Sequence, residues 1–258
     1  MDDQERKGTG PDFHGQNLAG QNFDGEFFED ANFQDANLED TTFRYALLQR
    51  AAFNRADLKK ASFRGANLRG VFCLEAKFTE ADLIGANLTG AFFNKAIFWG
   101  ASLAFANLEW AYMPHTQFQG SQFQKTTFNG ASGVEDFAVF VKSANLEEAN
   151  FRGAYLKRAD FRGTFLQGVN FKVALLLNAN LQDANLSSAD IRYANLTGAN
   201  IHGALFQGAN LQGVNLKKAY NLSLFQLSEA KTLYDAKLDK ELLIPLKENC
   251  PALFEVPK

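Results

Sequence analysis

The sequence predicts an all-β solenoid in which short extended segments form square coils that stack as a parallel sheet. Two regularities predict it. From Phe13 onward the chain repeats every five residues, with Phe or Leu at the centre of most repeats and usually Ala two places before it. A short fixed period is typical of solenoids. A period of five does not match the spacing of three and four residues that marks an apolar helix face.

Each five-residue repeat is predicted to be a short extended run followed by a corner. Side chains alternate in extended chain, so the centre and the Ala two places before it point inward. The residue between them, mostly Asn or Asp, points outward. Gly is common in the last two places, as at Gly65, Gly70 and Gly85, and tight turns favour it. Four such sides close one coil of twenty residues, and coils stack about 4.8 Å apart.

The period divides the chain into two blocks. The first has 24 repeats centred from Phe13 to Phe128, and the second has 15 centred from Leu146 to Leu216. Phe128 and Leu146 are 18 residues apart, which is not a multiple of five, so the register breaks between them. The repeats suffice for about ten coils. The predicted organisation is a flexible N-terminal segment at 1–12, a first β-helix block at 13–131, an interrupting loop at 132–143, a second block at 144–220, and a C-terminal cap with a short helix at 221–258.

The predicted cap rests on a change of apolar spacing near the C-terminus. Leu242, Leu243 and Leu246 follow helical spacing, with Asp239 as the predicted N-cap and Pro245 as the site of a kink. Solenoid ends expose unpaired edges and open cores, so they need such caps.

The pattern Ala-(Asp/Asn)-Leu-x-x, as at 36–40 and 184–188, resembles that of the pentapeptide-repeat proteins. The resemblance covers residues 13–220 and implies a right-handed quadrilateral β-helix. Gln16, Gln21 and Glu26 depart from the pattern by replacing Ala in the first coil, where only one neighbouring coil packs. In some family members a C-terminal helical segment also forms a homodimer contact. The resemblance therefore implies either a cap alone or a cap that also forms a homodimer.

One predicted column of outward residues is aromatic. Phe72, Phe92 and Tyr112 are twenty residues apart and so stack on one side, at places that elsewhere mostly hold Asn, Asp or Ser. The interrupting loop leaves the rod beside this column and is itself apolar. Two interpretations stay open: the loop covers the column, or column and loop form a surface for a partner or a second copy. The predicted interaction surface comprises Phe72, Phe92, Trp99, Trp110, Tyr112, Phe137 and Phe140.

Charge is segregated along the first block. Seven acids and no base lie between residues 24 and 40, and seven bases with one acid lie between 44 and 69. A solvated patchwork is one interpretation, and an acidic tip that docks a basic partner is the other. The residues of the predicted acidic tip are Asp24, Glu26, Glu29, Asp30, Asp35, Glu39 and Asp40.

The sequence predicts a non-enzymatic protein with no catalytic, cofactor-binding or metal site. Its three histidines are far apart, and no phosphate-binding loop, metal-ligand cluster or nucleophile elbow occurs. A coil filled by Phe and Leu leaves no pocket. The net charge of −3 argues against direct nucleic-acid binding. Without an apolar signal core or an apolar run of membrane-spanning length, we expect a cytoplasmic protein without a membrane span.

Two classes of function follow. The first is a scaffold or protein-interaction module that presents flat, rigid faces to a protein partner. The second comes from the resemblance, because some family members mimic DNA, bind a type II topoisomerase, and inhibit gyrase or protect it from quinolones. Mimicry needs a lattice of carboxylates along the rod. The second block instead carries eight bases and five acids, so the sequence favours the first class.

Overall fold

The computed structural model of the protein describes residues 10–118, 121–123, 126–128, 131 and 144–256. Parallel bridges join residues twenty apart, such as Asn17 with Asn37 and Asn37 with Asp57. A bridge residue recurs at every fifth position, so one coil has four sides. Within the described ranges these bridges are isolated, because each side contributes one bridge residue rather than a longer strand.

We name the four sides A to D in chain order. In one coil the bridge residues of sides A, B, C and D are Asn32, Asn37, Thr42 and Leu47. The same side of the next coil carries the residue twenty positions later, up to the interruption. This naming places every outward residue by its number.

Backbone hydrogen bonds hold each coil to both neighbours. On side A the N–H of Phe33 donates to the carbonyl of Ala52 in the next coil at 2.7 Å, and the N–H of Asn32 donates to Pro11 in the preceding one at 2.9 Å. The last residue of a repeat turns the corner with a left-handed backbone, whether it is Gly85 (φ 68°) or Asp35 (φ 58°). Side-chain-bearing residues are strained there. The bond from the Asp35 N–H to the next coil, at 3.0 Å, helps to hold that conformation.

Stacked rings fill the interior. Phe33 lies between Phe13 and Phe53, with centroid distances of 4.8 and 5.0 Å and nearly parallel planes. The alanines two places before the centres, such as Ala31 and Ala51, are fully buried and leave room for the rings. Burying a side chain of this size stabilises the fold by roughly 2 kcal/mol before entropy is subtracted.

The first described coil differs because it packs against one neighbour. Its centres Phe13 and Leu18 are only partly buried. Gln16, Gln21 and Glu26, which replace the usual Ala, are exposed. Their size is tolerated because no coil within the described residues lies against that end.

The interruption keeps the four sides in register. Gln122 pairs with Asn145 and Thr127 with Asn150, so residues 23 apart stack there instead of residues twenty apart. Three extra residues therefore enter the chain between Ala131 and the second block. The predicted loop at 132–143 lies outside the described residues.

Helical segments follow the last coil. They are α1 (Leu224–Ser228), α2 (Lys240–Asn249) and a 3₁₀ helix (Pro251–Phe254). A capping box between Ser223 and Gln226 opens α1. The helix α2 begins directly after Asp239, the predicted N-cap, and contains Pro245. The Asp239 carboxylate does not bond the helix, however, because it accepts the N–H of Lys218 at 2.8 Å.

Apolar side chains of this C-terminal region join the solenoid core. Leu227 of α1 and Leu246 of α2 are buried, as are Leu233 and Leu238 between the two helices. They extend the column of buried centres beyond Leu216, so the last coil is not left open.

The stacked core predicts a position-dependent loss of stability. Phe53→Ala should lower the free energy of unfolding by about 3–5 kcal/mol, because Phe53 is fully buried between two coils. Phe13→Ala, at the partly exposed end, should lower it less. Denaturant unfolding followed by circular dichroism measures both values. Equal losses would contradict the stacking described above.

Candidate interaction surface

The structure places three aromatic residues in one column on side A. Phe72 bridges to Phe92, and Phe92 bridges to Tyr112. The Phe72 and Phe92 rings are parallel with centroids 5.2 Å apart, and the Phe92 and Tyr112 centroids are 6.2 Å apart. Phe92 is 43% exposed, whereas Phe72 and Tyr112 are half-buried. The column therefore presents the Phe92 ring to solvent between two half-buried rings.

The two tryptophans occupy different corners. Trp110 stands at the corner that leads from side D onto side A, with a left-handed φ of 59°, and is 68% exposed. Trp99 stands at the corner between sides B and C, so the structure does not bring it to the column. Phe137 and Phe140 lie outside the described residues.

Two residues that sequence reasoning missed lie on side A beyond the interruption. Side D continues across it, since Thr127 bridges to Asn150. Tyr155 is the bridge residue of the next side, which is side A, and its N–H donates to the carbonyl of Ala131 at 3.0 Å. Tyr155 in turn bridges to Leu175. We call Phe72, Phe92, Tyr112, Tyr155 and Leu175 the side A strip.

Basic residues border side A in the second block. Arg152, Lys172 and Arg192 stand at the corner before side A, and Lys157 and Arg158 stand at the corner after it. The corner positions that border side A between 152 and 198 include these five bases and no acid. Arg152, Lys157 and Arg158 are exposed, so this end of the strip has a basic rim.

One carboxylate offsets part of the rim charge. Asp190, on side D, pairs with Arg192 at 2.6 Å. Burial raises the pKa of Asp190. Hydrogen bonds from the side chain and N–H of Arg192, together with the charges of Arg192 and Lys172, outweigh that effect, so the pKa of Asp190 is lowered. Arg152 and Lys157 have no recorded ion pair with another described residue.

The predicted acidic tip is largely paired within the chain. Residues twenty apart stack, so the acidic segment 24–40 lies beside the basic segment that follows it. The ion pairs join Arg50 with Glu29 and Asp30, Arg55 with Asp35, and Lys59 with Glu39, at N–O distances of 2.7–2.8 Å. Asp24 accepts the backbone N–H of Arg44 at 2.8 Å. Acidic and basic residues that are separated along the sequence therefore neutralise each other in the folded chain.

The described residues contain little reactive chemistry. They hold no group of three or more His, Cys, Asp or Glu side chains arranged to bind a metal. Cys73 is fully buried among the core rings, and burial raises the pKa of its thiol, so it stays protonated. In the same part of the chain, no helix has the length and apolarity needed to cross a membrane.

A family model for pentapeptide repeats matches the chain in eight copies. The matched residues are 12–46, 36–72, 61–100, 76–113, 101–132, 142–172 and 179–217. The chain therefore belongs to the pentapeptide-repeat family, whose fold is a right-handed β-helix. No curated protein matches it.

Solved structures of pentapeptide-repeat proteins are similar to the chain. HetL from the cyanobacterium Nostoc sp. strain PCC 7120, a protein involved in heterocyst differentiation regulation, is 28% identical with a TM-score of 0.63, over 80% of this chain and 91% of HetL. QnrB1, a plasmid-mediated fluoroquinolone resistance protein, is 18% identical with a TM-score of 0.30, over 91% and 95%. Rfr23 from the cyanobacterium Cyanothece 51142 is 21% identical with a TM-score of 0.20, over 62% and 88%.

The ion-pair ladder predicts a small, pH-dependent contribution to stability. The hydrogen bond from Arg55 lowers the pKa of Asp35 from its ordinary 3.8, opposed in part by burial and helped by the charges of Arg55 and His14. Asp35→Asn should cost at most about 1 kcal/mol at neutral pH, because the carboxylate is 38% exposed and screened by solvent.

The sign of the pH dependence follows from the lowered pKa. The contribution of Asp35 is present above its unfolded pKa and is lost as the pH falls through the lower folded pKa. Urea unfolding of the wild type and of Asp35→Asn should therefore converge in acid. Asp35→Asn in an Arg55→Gln background should show almost no further loss at neutral pH. A difference that persists in strong acid would show that the pair is not its source.

Proposed function

We propose that this protein is a non-enzymatic scaffold or protein-interaction module that contacts a protein partner through side A. The observation that carries the proposal is the column of three successive aromatic residues, Phe72, Phe92 and Tyr112, at outward places that most often hold Asn, Asp or Ser. Clustered exposed apolar side chains mark contact sites. Trp and Tyr are enriched among the residues that dominate binding energy, and Trp110 and Tyr112 are of these types.

The solenoid suits such a contact because it fixes the positions of its outward residues. Each rung of side A is hydrogen-bonded to the coils on both sides: the N–H of Phe92 donates to Val71 in the preceding coil, and the N–H of Phe93 donates to Tyr112 in the next coil. Little backbone freedom is then lost when a partner binds. Preorganised surfaces gain affinity because this loss is small.

The similarity to HetL supports a role in regulation by contact. HetL is described as involved in the regulation of heterocyst differentiation. A filled solenoid with an apolar outer column can act in such a role by binding another protein.

The charge pattern does not favour mimicry of DNA. Mimicry needs carboxylates that stand unneutralised along the rod. Here Glu29, Asp30, Asp35 and Glu39 are paired with bases of the adjacent coil. The second block also has a basic rim instead of an acidic lattice.

A pull-down from extract of the source organism tests the proposal. Phe92→Ser with Tyr112→Ser should lower recovery of the partner at least tenfold, a loss of about 1.4 kcal/mol in binding free energy. The matched control is Phe165→Ser with Leu205→Ser, which removes residues of side C that are 50% and 54% exposed. The control should bind like the wild type.

Two results would contradict the use of side A as a contact surface. One is equal loss of the partner in both double variants. The other is unchanged partner binding by the side A variant together with faster proteolysis within 132–143, which would mean that the loop covers the column. Phe137→Ser with Phe140→Ser, in the same pull-down, tests whether those two residues belong to the surface.

A supercoiling assay tests the alternative class. With purified gyrase, we expect the protein to leave DNA supercoiling unchanged at concentrations that saturate its partner, because Glu29, Asp30, Asp35 and Glu39 are paired with bases of the adjacent coil. Expression in cells should likewise leave quinolone tolerance unchanged. Inhibition of supercoiling that Phe92→Ser with Tyr112→Ser does not relieve would favour the DNA mimic.

The proposal includes a homodimer contact at the C-terminal end. Phe225 of α1 and Ile244 of α2 are exposed, and the two helices pack against each other. Phe225→Glu with Ile244→Glu should shift sedimentation from dimer to monomer, because two charges would be buried in the contact. Phe105→Glu, at an exposed corner far along the chain, is the control. A wild type that sediments as a monomer at high concentration would rule this contact out.

A further inference from the structure

We propose that side A of the second block binds an acidic segment of a protein partner, in which carboxylates flank apolar side chains. The inference rests on the proposed function, because it takes the ligand to be a protein, and it adds a second contact region and the chemistry of the segment bound there. The site lies within residues 150–218, which the structure describes without a gap.

Side A is the basic side of the second block. Seven of the eight bases between 144 and 219 stand at the two corners that border side A, and these are Arg152, Lys157, Arg158, Lys172, Arg192, Lys217 and Lys218. The five acids lie on or between the other three sides, and these are Glu147, Glu148, Asp160, Asp183 and Asp190. The charge of this block is therefore separated across the rod.

Stacking does not neutralise these bases as it does in the first block, where ion pairs join acids and bases one coil apart. Arg152, Lys172 and Arg192 hold the same corner place in three successive coils, about 4.8 Å apart along the rod. Arg192 is paired with Asp190 at 2.6 Å. Arg152, Lys157 and Lys172 form no ion pair with another described residue. Repulsion within this column falls when carboxylates of a partner bind.

Apolar side chains lie among these bases. Tyr155 bridges to Leu175 on side A. Val173 and Tyr193 stand at the corner before side A in the coils of Leu175 and Asn195. Tyr155, Val173 and Tyr193 are 52%, 44% and 49% exposed. We define the basic patch as Arg152, Tyr155, Lys157, Lys172, Val173, Leu175 and Tyr193.

Val173 holds its place against a backbone preference. Its φ is 54°, and among the described residues it is the one β-branched side chain with a left-handed backbone. Such residues are strained in this conformation. The same corner place holds Gly153 and Gly213 in other coils, which adopt it without strain. Exposed strain of this kind is typical of functional positions, so we assign Val173 a contact with the ligand.

The Tyr193 ring is fixed before any ligand binds. Its hydroxyl accepts a hydrogen bond from Nε2 of Gln212 at 3.0 Å. The ring lies against Gly213, where a side chain would collide with it. A fixed ring loses little freedom on binding, which favours affinity.

The apolar part of the basic patch favours a protein segment over a nucleic acid. Single strands bind by stacking their bases on aromatic side chains beside a basic groove. Val173 and Leu175 are aliphatic and offer no ring face for stacking. Apolar side chains between carboxylates would contact these two residues while the carboxylates meet the bases around them.

Three labelled peptides test the inference with the purified full chain. The first has a Leu-Phe pair between two runs of Glu, the second has Gln in place of each Glu, and the third has Ser in place of Leu and Phe. Fluorescence anisotropy should show saturable binding of the Glu peptide, weaker at high salt because exposed charges are screened. The Gln peptide should bind at least about tenfold more weakly, and the Ser peptide about fivefold more weakly.

Charge-reversed variants locate the site. Arg152→Glu with Lys172→Glu should weaken binding of the Glu peptide at least about tenfold. The matched control is Lys60→Glu with Lys77→Glu, which changes the net charge equally but alters exposed bases away from side A in the first block. The control should bind the Glu peptide nearly as the wild type does.

Val173→Asn separates binding from stability. Asn fits a left-handed corner, as Asn178 does at φ 55°, so the urea midpoint should rise. Binding of the Glu peptide should nevertheless fall about fivefold, because an apolar contact is lost. A rise in the midpoint with unchanged binding would remove Val173 from the site.

Four outcomes would overturn the inference. These are no saturable binding of the Glu peptide, equal binding of the Gln or the Ser peptide, equal losses in both charge-reversed variants, and tighter binding of oligothymidylate or of phosphatidylserine vesicles than of the Glu peptide. If the extract pull-down still depends on Phe92 and Tyr112, any of these leaves the interaction role standing and removes only the acidic segment. Loss of that dependence would instead remove the interaction role itself.

Discussion

The twenty-residue register of backbone hydrogen bonds is the constraint on which the rest of the structure depends. It places each residue directly beside the residue one coil away, as Phe33 lies beside Phe53. Any feature that recurs at this interval becomes a column in space. The rings in the core and the ring column on side A are therefore products of the same stacking, one on the inward and one on the outward face.

Stacking has opposite consequences for charge and for apolar surface. Carboxylates and bases one coil apart neutralise each other, as Asp35 and Arg55 do. A charged segment therefore presents little net charge to a partner. Aromatic residues one coil apart accumulate instead, because each ring contacts the next, as in Phe72 and Phe92. In such a solenoid, charged segments that are prominent in the sequence are neutralised by the adjacent coil. Apolar residues that are twenty positions apart in the sequence form one contiguous surface.

The sequence predicts the inward residues well, because the period of five identifies them without knowledge of the stacking. Outward neighbours are harder to predict. Tyr155 joins the column of Tyr112 only because residues 23 apart stack across the interruption, and an 18-residue gap between centres does not reveal that number. The five-residue helix α1 is too short to show an apolar period, although the capping pair Ser223 and Gln226 marks its start.

The interruption has a consequence for any partner that lies along the rod. Three extra residues enter between Ala131 and Ala144, yet Gln122 still pairs with Asn145 and the four sides keep their order. If the insertion had displaced the chain by one side, Tyr155 would stand a quarter turn away from Tyr112. Conserving the register therefore lets a single straight segment contact both blocks. It also keeps Tyr112 of the first block and Tyr155 of the second on side A, so the aromatic positions of both blocks face the same way.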